Sequence, residues 1–197
     1  MIDEKFAPDE AAALKIRIQN TRLVFSYNEA TGTWFARNAA NQLMLTYMKD
    51  GTATFSDPGY TFGQTLAGIG RGGPIAPAAS GVTHADGRRL NITLGSYTEW
   101  YRNNDKGVEQ GVTLTSRPQG TGPVQGRFDF SGDASVSISN GQVLAIPDAS
   151  GILLFENAGL HTLSADGRML PRIPCNRWLN TLVDIGRHRC HLPGGSL

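Results

Sequence analysis

The chain has 197 residues, enough for one sizeable hydrophobic core and too few for two without a linker, and no linker-like segment divides it. Eighteen basic and seventeen acidic side chains leave a formal charge of +1, which is not the electrostatic footprint of a nucleic-acid binder. With 24 glycines and 10 prolines the chain is interrupted too often for long helices, and no apolar run approaches the roughly 20 residues of a membrane-spanning helix.

The opening Met1-Ile2-Asp3-Glu4-Lys5 is charged and does not read as a secretion signal. Residues 1–13 read as an N-terminal arm or short helix, with Asp9 and Glu10 suited to a first turn. Strict alternation then begins at Leu14-Lys15-Ile16-Arg17-Ile18, which predicts a strand. Leu23, Phe25 and Tyr27 continue the alternation, and Ala30-Thr31-Gly32 supplies a turn before Trp34-Phe35-Ala36, so a hairpin is expected. A second hairpin runs from Leu43, Leu45 and Tyr47 through Asp50-Gly51 to Thr52-Ala53-Thr54-Phe55; Asp-Gly supplies the positive backbone angles of a tight turn.

From Asp57 to Ser80 the chain is rich in glycine, proline and alanine and shows no sustained period, which predicts a long excursion with one strand near Tyr60 to Leu66. A loop of that length in a compact domain is a candidate binding or assembly surface. Alternation returns at residues 88–94, 98–101 and 111–115, and again at 127–130, 135–138, 143–146 and 152–155, with Asn140-Gly141 as a further turn. Strands spaced by about 8 to 12 residues predict a single all-β domain over 1–197, an antiparallel β-sandwich or barrel-like fold with a long glycine-rich excursion and an irregular tail over 172–197. Ala85-Asp86-Gly87-Arg88-Arg89-Leu90 is echoed by Ala165-Asp166-Gly167-Arg168-Met169-Leu170; a shared Asp-Gly turn explains the echo, and a duplicated half-domain is the alternative.

Few residues suggest chemistry. Gly68-Ile69-Gly70-Arg71-Gly72-Gly73 fits the spelling of a dinucleotide loop, but Pro74 and Pro77 follow where that motif needs a helix, so a flexible glycine loop with Arg71 exposed is expected. Glu99, Asp105 and Glu109 cluster around Trp100 and Tyr101, an acidic and aromatic set that suits carbohydrate; Glu99 and Glu109 would be the acid and base of a glycosidase if they converged. Cys175, His188, Cys190 and His191 have the inventory of a zinc site but not its spacing, so neither metal nor cofactor is expected. Cys175 and Cys190 are the only cysteines, so a disulfide within the chain would have to join them. There is no G-x-S-x-G elbow, and His84 and His161 read as strand-end residues.

The line Glu99-Trp100-Tyr101-Arg102-Asn103, with Gly107 to Leu114 and Arg117-Pro118, resembles the β-rich N-terminal modules of large secreted bacterial proteins that carry FG-GAP, integrin-like propeller repeats. Residues 34–39, Gly159-Leu160 and residues 165–171 are similar to the same family, so the likeness runs from about residue 20 to 171. The resemblance implies an extracellular or cell-surface all-β module and carries over no activity or catalytic residues. No propeller repeats lie within the chain, and Arg187 to Gly195 lacks the strand alternation of the family's ending. On the residues alone, Trp100 reads as a core anchor. The expected function is a noncatalytic adhesion or assembly module that makes protein contacts, including self-association, through β edges and loops; the alternative is a carbohydrate-binding or carbohydrate-active domain centred on Glu99 and Glu109.

Overall fold

The computed structural model is described over residues 9–13, 23–56, 60–72, 75, 77–78, 80–122, 124–139, 142–147, 155–156 and 182–183. Residues 9–13 form a short helical segment. The strands follow as β1 (Ser26–Asn28), β2 (Thr33–Asn38), β3 (Leu43–Tyr47), β4 (Thr52–Ser56), β5 (Thr61–Arg71), β6 (Val82–Asp86), β7 (Arg89–Leu94), β8 (Tyr97–Asn104), β9 (Gly107–Leu114), β10 (Val124–Gly132), β11 (Ala134–Ser139), β12 (Gln142–Pro147), β13 (Phe155–Glu156) and β14 (Leu182–Val183). All pairings are antiparallel.

Two sheets face one another as a sandwich. One runs β1-β2-β3-β4-β5-β10-β14 and the other β6-β7-β8-β9, while β11-β12-β13 form a separate three-stranded ribbon. The shared core draws on both sheets: Ala36, Leu45, Ala53, Leu66 and Phe128 from the larger, Leu90, Ile92, Tyr101 and Leu114 from the smaller. Alternation produces this arrangement directly. In β7 the inward Leu90 and Ile92 are almost wholly buried, and each such side chain stabilises the fold by about 1.5 to 3 kcal/mol relative to exposure. The fold class expected from the sequence is thus the one observed, in its sandwich form; the sheets do not close into a barrel.

The turns follow their chemistry. Asp50 Oδ1 accepts from the Thr52 amide, and Gly51 adopts φ +88° between β3 and β4. Asn28 Oδ1 accepts from the Ala30 amide at the tip between β1 and β2. Ser139 stands opposite Gln142, so the expected Asn140-Gly141 turn is bracketed by paired strands, although its own two residues lie outside those described. So do Leu14 to Ile18, His161, Ala165 to Leu170, Cys175, His188, Cys190 and His191. Leu182–Val183, within the segment expected to be irregular, pairs with β10.

One expectation is corrected. The glycine-rich stretch is not an excursion from Asp57 to Ser80, because its first half is the eleven-residue strand β5, bonded to β4 on one side and β10 on the other. Gly68, Gly70 and Arg71 therefore lie in a strand and not in a flexible loop. Glycines hide the alternation here because close packing needs them: a Cβ on Gly63 would overlap the Ser131 hydroxyl, and one on Gly72 would overlap the Thr121 carbonyl. A bulge at the Arg127/Phe128 step shifts the β5–β10 register, and the Ala67 carbonyl beside it accepts from the Ala78 amide at 2.8 Å. Among the described residues, no helix is long and apolar enough to cross a membrane.

Candidate functional site

The faces of the four-stranded sheet are set by β7. Gly95-Ser96 is a two-residue connection, so inward Leu94 stands opposite Tyr97 and Leu90 opposite Tyr101. Opposed residues share a face; Tyr97, Glu99, Tyr101 and Asn103 accordingly point into the sandwich, and Thr98, Trp100 and Arg102 point out. Across the β8–β9 pairing, Gln110 opposes Tyr101 on the inside and Glu109 opposes Arg102 on the outside.

The inside carries a buried polar network. Glu99, 1% exposed, accepts at Oε1 from the Tyr101 hydroxyl and from Gln110 Nε2, each at 2.7 Å. Gln64 of β5 donates to Gln110 Oε1, so the network crosses between the sheets. Burial pushes the Glu99 carboxyl above its ordinary range, although both hydrogen bonds favour the charged form. Burial and then the neighbouring Glu99 raise the hydroxyls of Tyr101, Tyr97 and Tyr47 as well. The Tyr97 hydroxyl is the one buried side-chain polar atom without a partner among the described residues.

A second network ties the chain's early segment to the β8–β9 hairpin. Asn103 Nδ2 donates to the carbonyls of Leu23 (3.1 Å) and Arg37 (2.9 Å), and its Oδ1 accepts from Asn38 Nδ2 at 2.8 Å. Asn38 also donates to the Asn104 carbonyl, and its Oδ1 caps the short 3-10 turn Ala39–Asn41. Every polar hydrogen of the Asn103 amide is used.

Outside, Trp100 lies flat across β9, where Gly111 stands directly opposite; a Cβ on Gly111 would overlap the indole. The indole N–H donates to Thr113 Oγ1 at 3.2 Å. The Arg89 guanidinium stacks 4.2 Å from the indole centre, fixed by its Nε–H bond to Asn91 Oδ1 at 2.8 Å, and Arg102 lies at 6.0 Å. Arg89 and Arg102 are direct cross-strand neighbours, and two carboxylates accompany them on this face: Glu109 lies 3.9 Å from Arg102, and Asp86 of β6 stands opposite Arg89. The expected core-anchor role of Trp100 is thereby corrected: the anchor is its neighbour Tyr101, which is 0% exposed, and the indole is half-buried on the far face.

Comparisons with protein-family models, with curated proteins and with solved structures found no match. Function is therefore read from the side chains themselves. The sequence-derived candidates do not converge. Glu99 and Tyr101 are inside, Trp100 and Glu109 outside, and Asp105 sits in the β8–β9 turn, where its carbonyl accepts from Asn41 Nδ2. Arg71 ends β5 on the other sheet and donates from Nε to the Gly122 carbonyl at 2.6 Å. Glu99 and Glu109 lie on opposite faces of one sheet, so they do not share a pocket as the acid and base of a glycosidase must. Among the described residues no group of three His, Cys, Asp or Glu is placed to hold a metal ion. The residues overlooked in the sequence are Arg89, Asn91, Gln64, Gln110, Asn38 and Asn103; the clean alternation of Leu90, Ile92 and Leu94, carried through the Gly95-Ser96 turn, is the unused signal that would have placed Glu99 inside and Trp100 outside.

Proposed function

We propose that the chain is a noncatalytic assembly module that joins a second copy of itself through the free edge of β9, in the extracellular setting that the resemblance to FG-GAP-associated modules implies. The observation that carries this reading is the form of that edge. β9 keeps eight consecutive pairs with β8 and no bulge, and has a described strand on one side only. The Thr115 amide bonds the Ser96 carbonyl and the Asn103 amide bonds the Arg88 carbonyl, which fixes the phase of the ladder. In that phase the amides and carbonyls of Val108, Gln110, Val112 and Leu114 point away from β8. No proline interrupts residues 107–117, and the sole charged side chain of β9, Glu109, is directed out of the sheet plane.

Within the two facing sheets, the other edges are poorer templates. β1 has three residues and β14 two, and at the end of the five-residue β6 the Gly87 carbonyl is already taken by the Phe25 amide. Strand addition at β9 would continue the four-stranded sheet with main-chain hydrogen bonds, the usual mode of β-augmentation.

Light scattering after size-exclusion chromatography is expected to show a concentration-dependent dimer. Val112→Pro removes an outward N–H without breaking the bonds to β8, and is expected to remain monomeric at concentrations where the parent chain is dimeric. A peptide of residues 107–114 should compete with dimer formation. A parent chain that stays monomeric at every concentration overturns the reading.

A further inference from the structure

From Gly107 to Thr113 every residue of β9 keeps some solvent exposure, including Val108, Gln110 and Val112 on the inner face, so solvent reaches this edge from both faces of the sheet. Its backbone groups decide what can pair with it. The amides and carbonyls of Val108, Gln110, Val112 and Leu114 point outward, and Thr115 and Ser116 lie beyond the strand in a bend. A closed dimer uses one patch on both copies, and two copies of one edge about a two-fold axis run antiparallel, outward residue opposite outward residue. Centring the pair on Gln110 brings Leu114 against Lys106 in the β8–β9 turn, and centring it on Val112 brings Val108 against Ser116 in the bend. Centring it on Glu109 sets two carboxylates face to face, which destabilises a ladder. Only a pair centred on Gly111 matches the outward residues of one copy wholly with those of the other, Val108 with Leu114 and Gln110 with Val112.

We propose that two copies join antiparallel with Gly111 opposite the partner's Gly111, so that the Trp100 indoles of the two copies meet across the seam; this deepens the self-association proposed above and rests on it. The glycine is what permits it. Each indole lies over the Gly111 of its own copy, where a Cβ would overlap the ring. Residues facing each other without mutual hydrogen bonds stand about 4.5 Å apart in an antiparallel pair, which brings the two rings edge to edge. On the inner face the half-buried Val108 packs against the partner's Leu114 and Val112 against the partner's Gln110, which removes apolar surface from water. On the outer face Glu109 faces the partner's Thr113 and meets no like charge.

Disulfide trapping in the full chain tests the register. Glu109→Cys/Thr113→Cys is expected to give a covalent dimer under mild oxidation, with peptide mapping placing the bridge between position 109 of one copy and position 113 of the other. The two positions are about 13 Å apart along one strand, beyond the reach of a disulfide, so that bridge has to run between copies. Each single variant, and Glu109→Cys/Thr115→Cys, which reports a pair centred on Val112, is expected to form no bridge between β9 strands. Trp100→Ala, shown to fold by its melting curve, is expected to weaken the dimer about tenfold in analytical ultracentrifugation. A monomeric parent chain overturns self-association and register together. A parent that dimerises while Glu109→Cys/Thr113→Cys gives no bridge, or while Glu109→Cys/Thr115→Cys gives one, overturns the register alone, and a folded Trp100→Ala that dimerises like the parent overturns the indole contact.

Discussion

Asn103→Ala is expected to lower the stability of the fold by about 3 to 5 kcal/mol, read as a shift in the denaturant midpoint at constant slope. The substitution leaves the Leu23 and Arg37 carbonyls without their donor and strips one acceptor from Asn38 Nδ2; the first and last of these contacts are buried and the Arg37 one partly so. Each stranded group costs about 1 to 3 kcal/mol, and the three are not independent because Asn38 keeps its bond to the Asn104 carbonyl. Asn103→Asp sharpens the test. It preserves shape but turns two donors into acceptors that face two carbonyl oxygens, so at neutral pH its loss should equal or exceed that of alanine and should shrink on acidification. A loss under about 1 kcal/mol for Asn103→Ala would mean that water replaces the amide and that the clamp is not structural.

The second large effect is a pH dependence set by Glu99. Burial raises its carboxyl in the folded protein above the ordinary 4.5, so the folded state keeps this proton at pH values where the unfolded state has released it. With more protons bound to the native state, stability falls as pH rises from the unfolded value to the folded one, then levels off. For a single proton the slope in that window reaches at most about 1.4 kcal/mol per pH unit. Glu99→Gln keeps an acceptor for Tyr101 and Gln110 and removes the titration. Denaturant midpoints measured between pH 4 and 9 should therefore show the variant gaining on the parent chain as pH rises; a constant difference would show that Glu99 does not titrate differently on folding. The raised hydroxyls of Tyr47, Tyr97 and Tyr101 act with the same sign, lowering stability as pH climbs past 10.

Where turn chemistry and alternation agree, the sequence was legible. Asp50-Gly51 and Asp86-Gly87 sit between runs of period two, and both become tight connections between paired strands. β5 was not legible beyond Leu66, because Gly68 and Gly70 leave no side chains to alternate, and their role is visible only when β10 and Ile75 come against them. The site was misjudged for a different reason. In β8 a large indole alternates with a carboxylate, and judged one residue at a time the indole belongs inside and the carboxylate outside. Neighbours reverse that choice: Gln110 of β9 donates to Glu99 and is itself held by Gln64 of β5, and Gly111 of β9 leaves a bed for Trp100. Gln64 is distant in sequence, and Gln110 and Gly111 come into place only through the β8–β9 register, so β8 itself does not announce them. The fold class survived such errors because it depends on period, which side-chain identity does not alter.

The return of β10 to β5 bears on how the chain reaches this fold. Val124 pairs with Arg71 and Gly132 with Phe62, and the whole of β6 to β9 lies in the interval between the two strands. β2 to β5 and β6 to β9 are each meanders of neighbouring hairpins, whose closure over a few residues costs little chain entropy. Joining β5 to β10 closes a far longer loop, and the Asn38–Asn103 bond links residues 65 positions apart. A topology with this share of distant pairings belongs with the all-β domains that fold in milliseconds to seconds. Closure entropy favours contacts within each meander over the β5–β10 pairing, and the face bearing Trp100 lies within one of them.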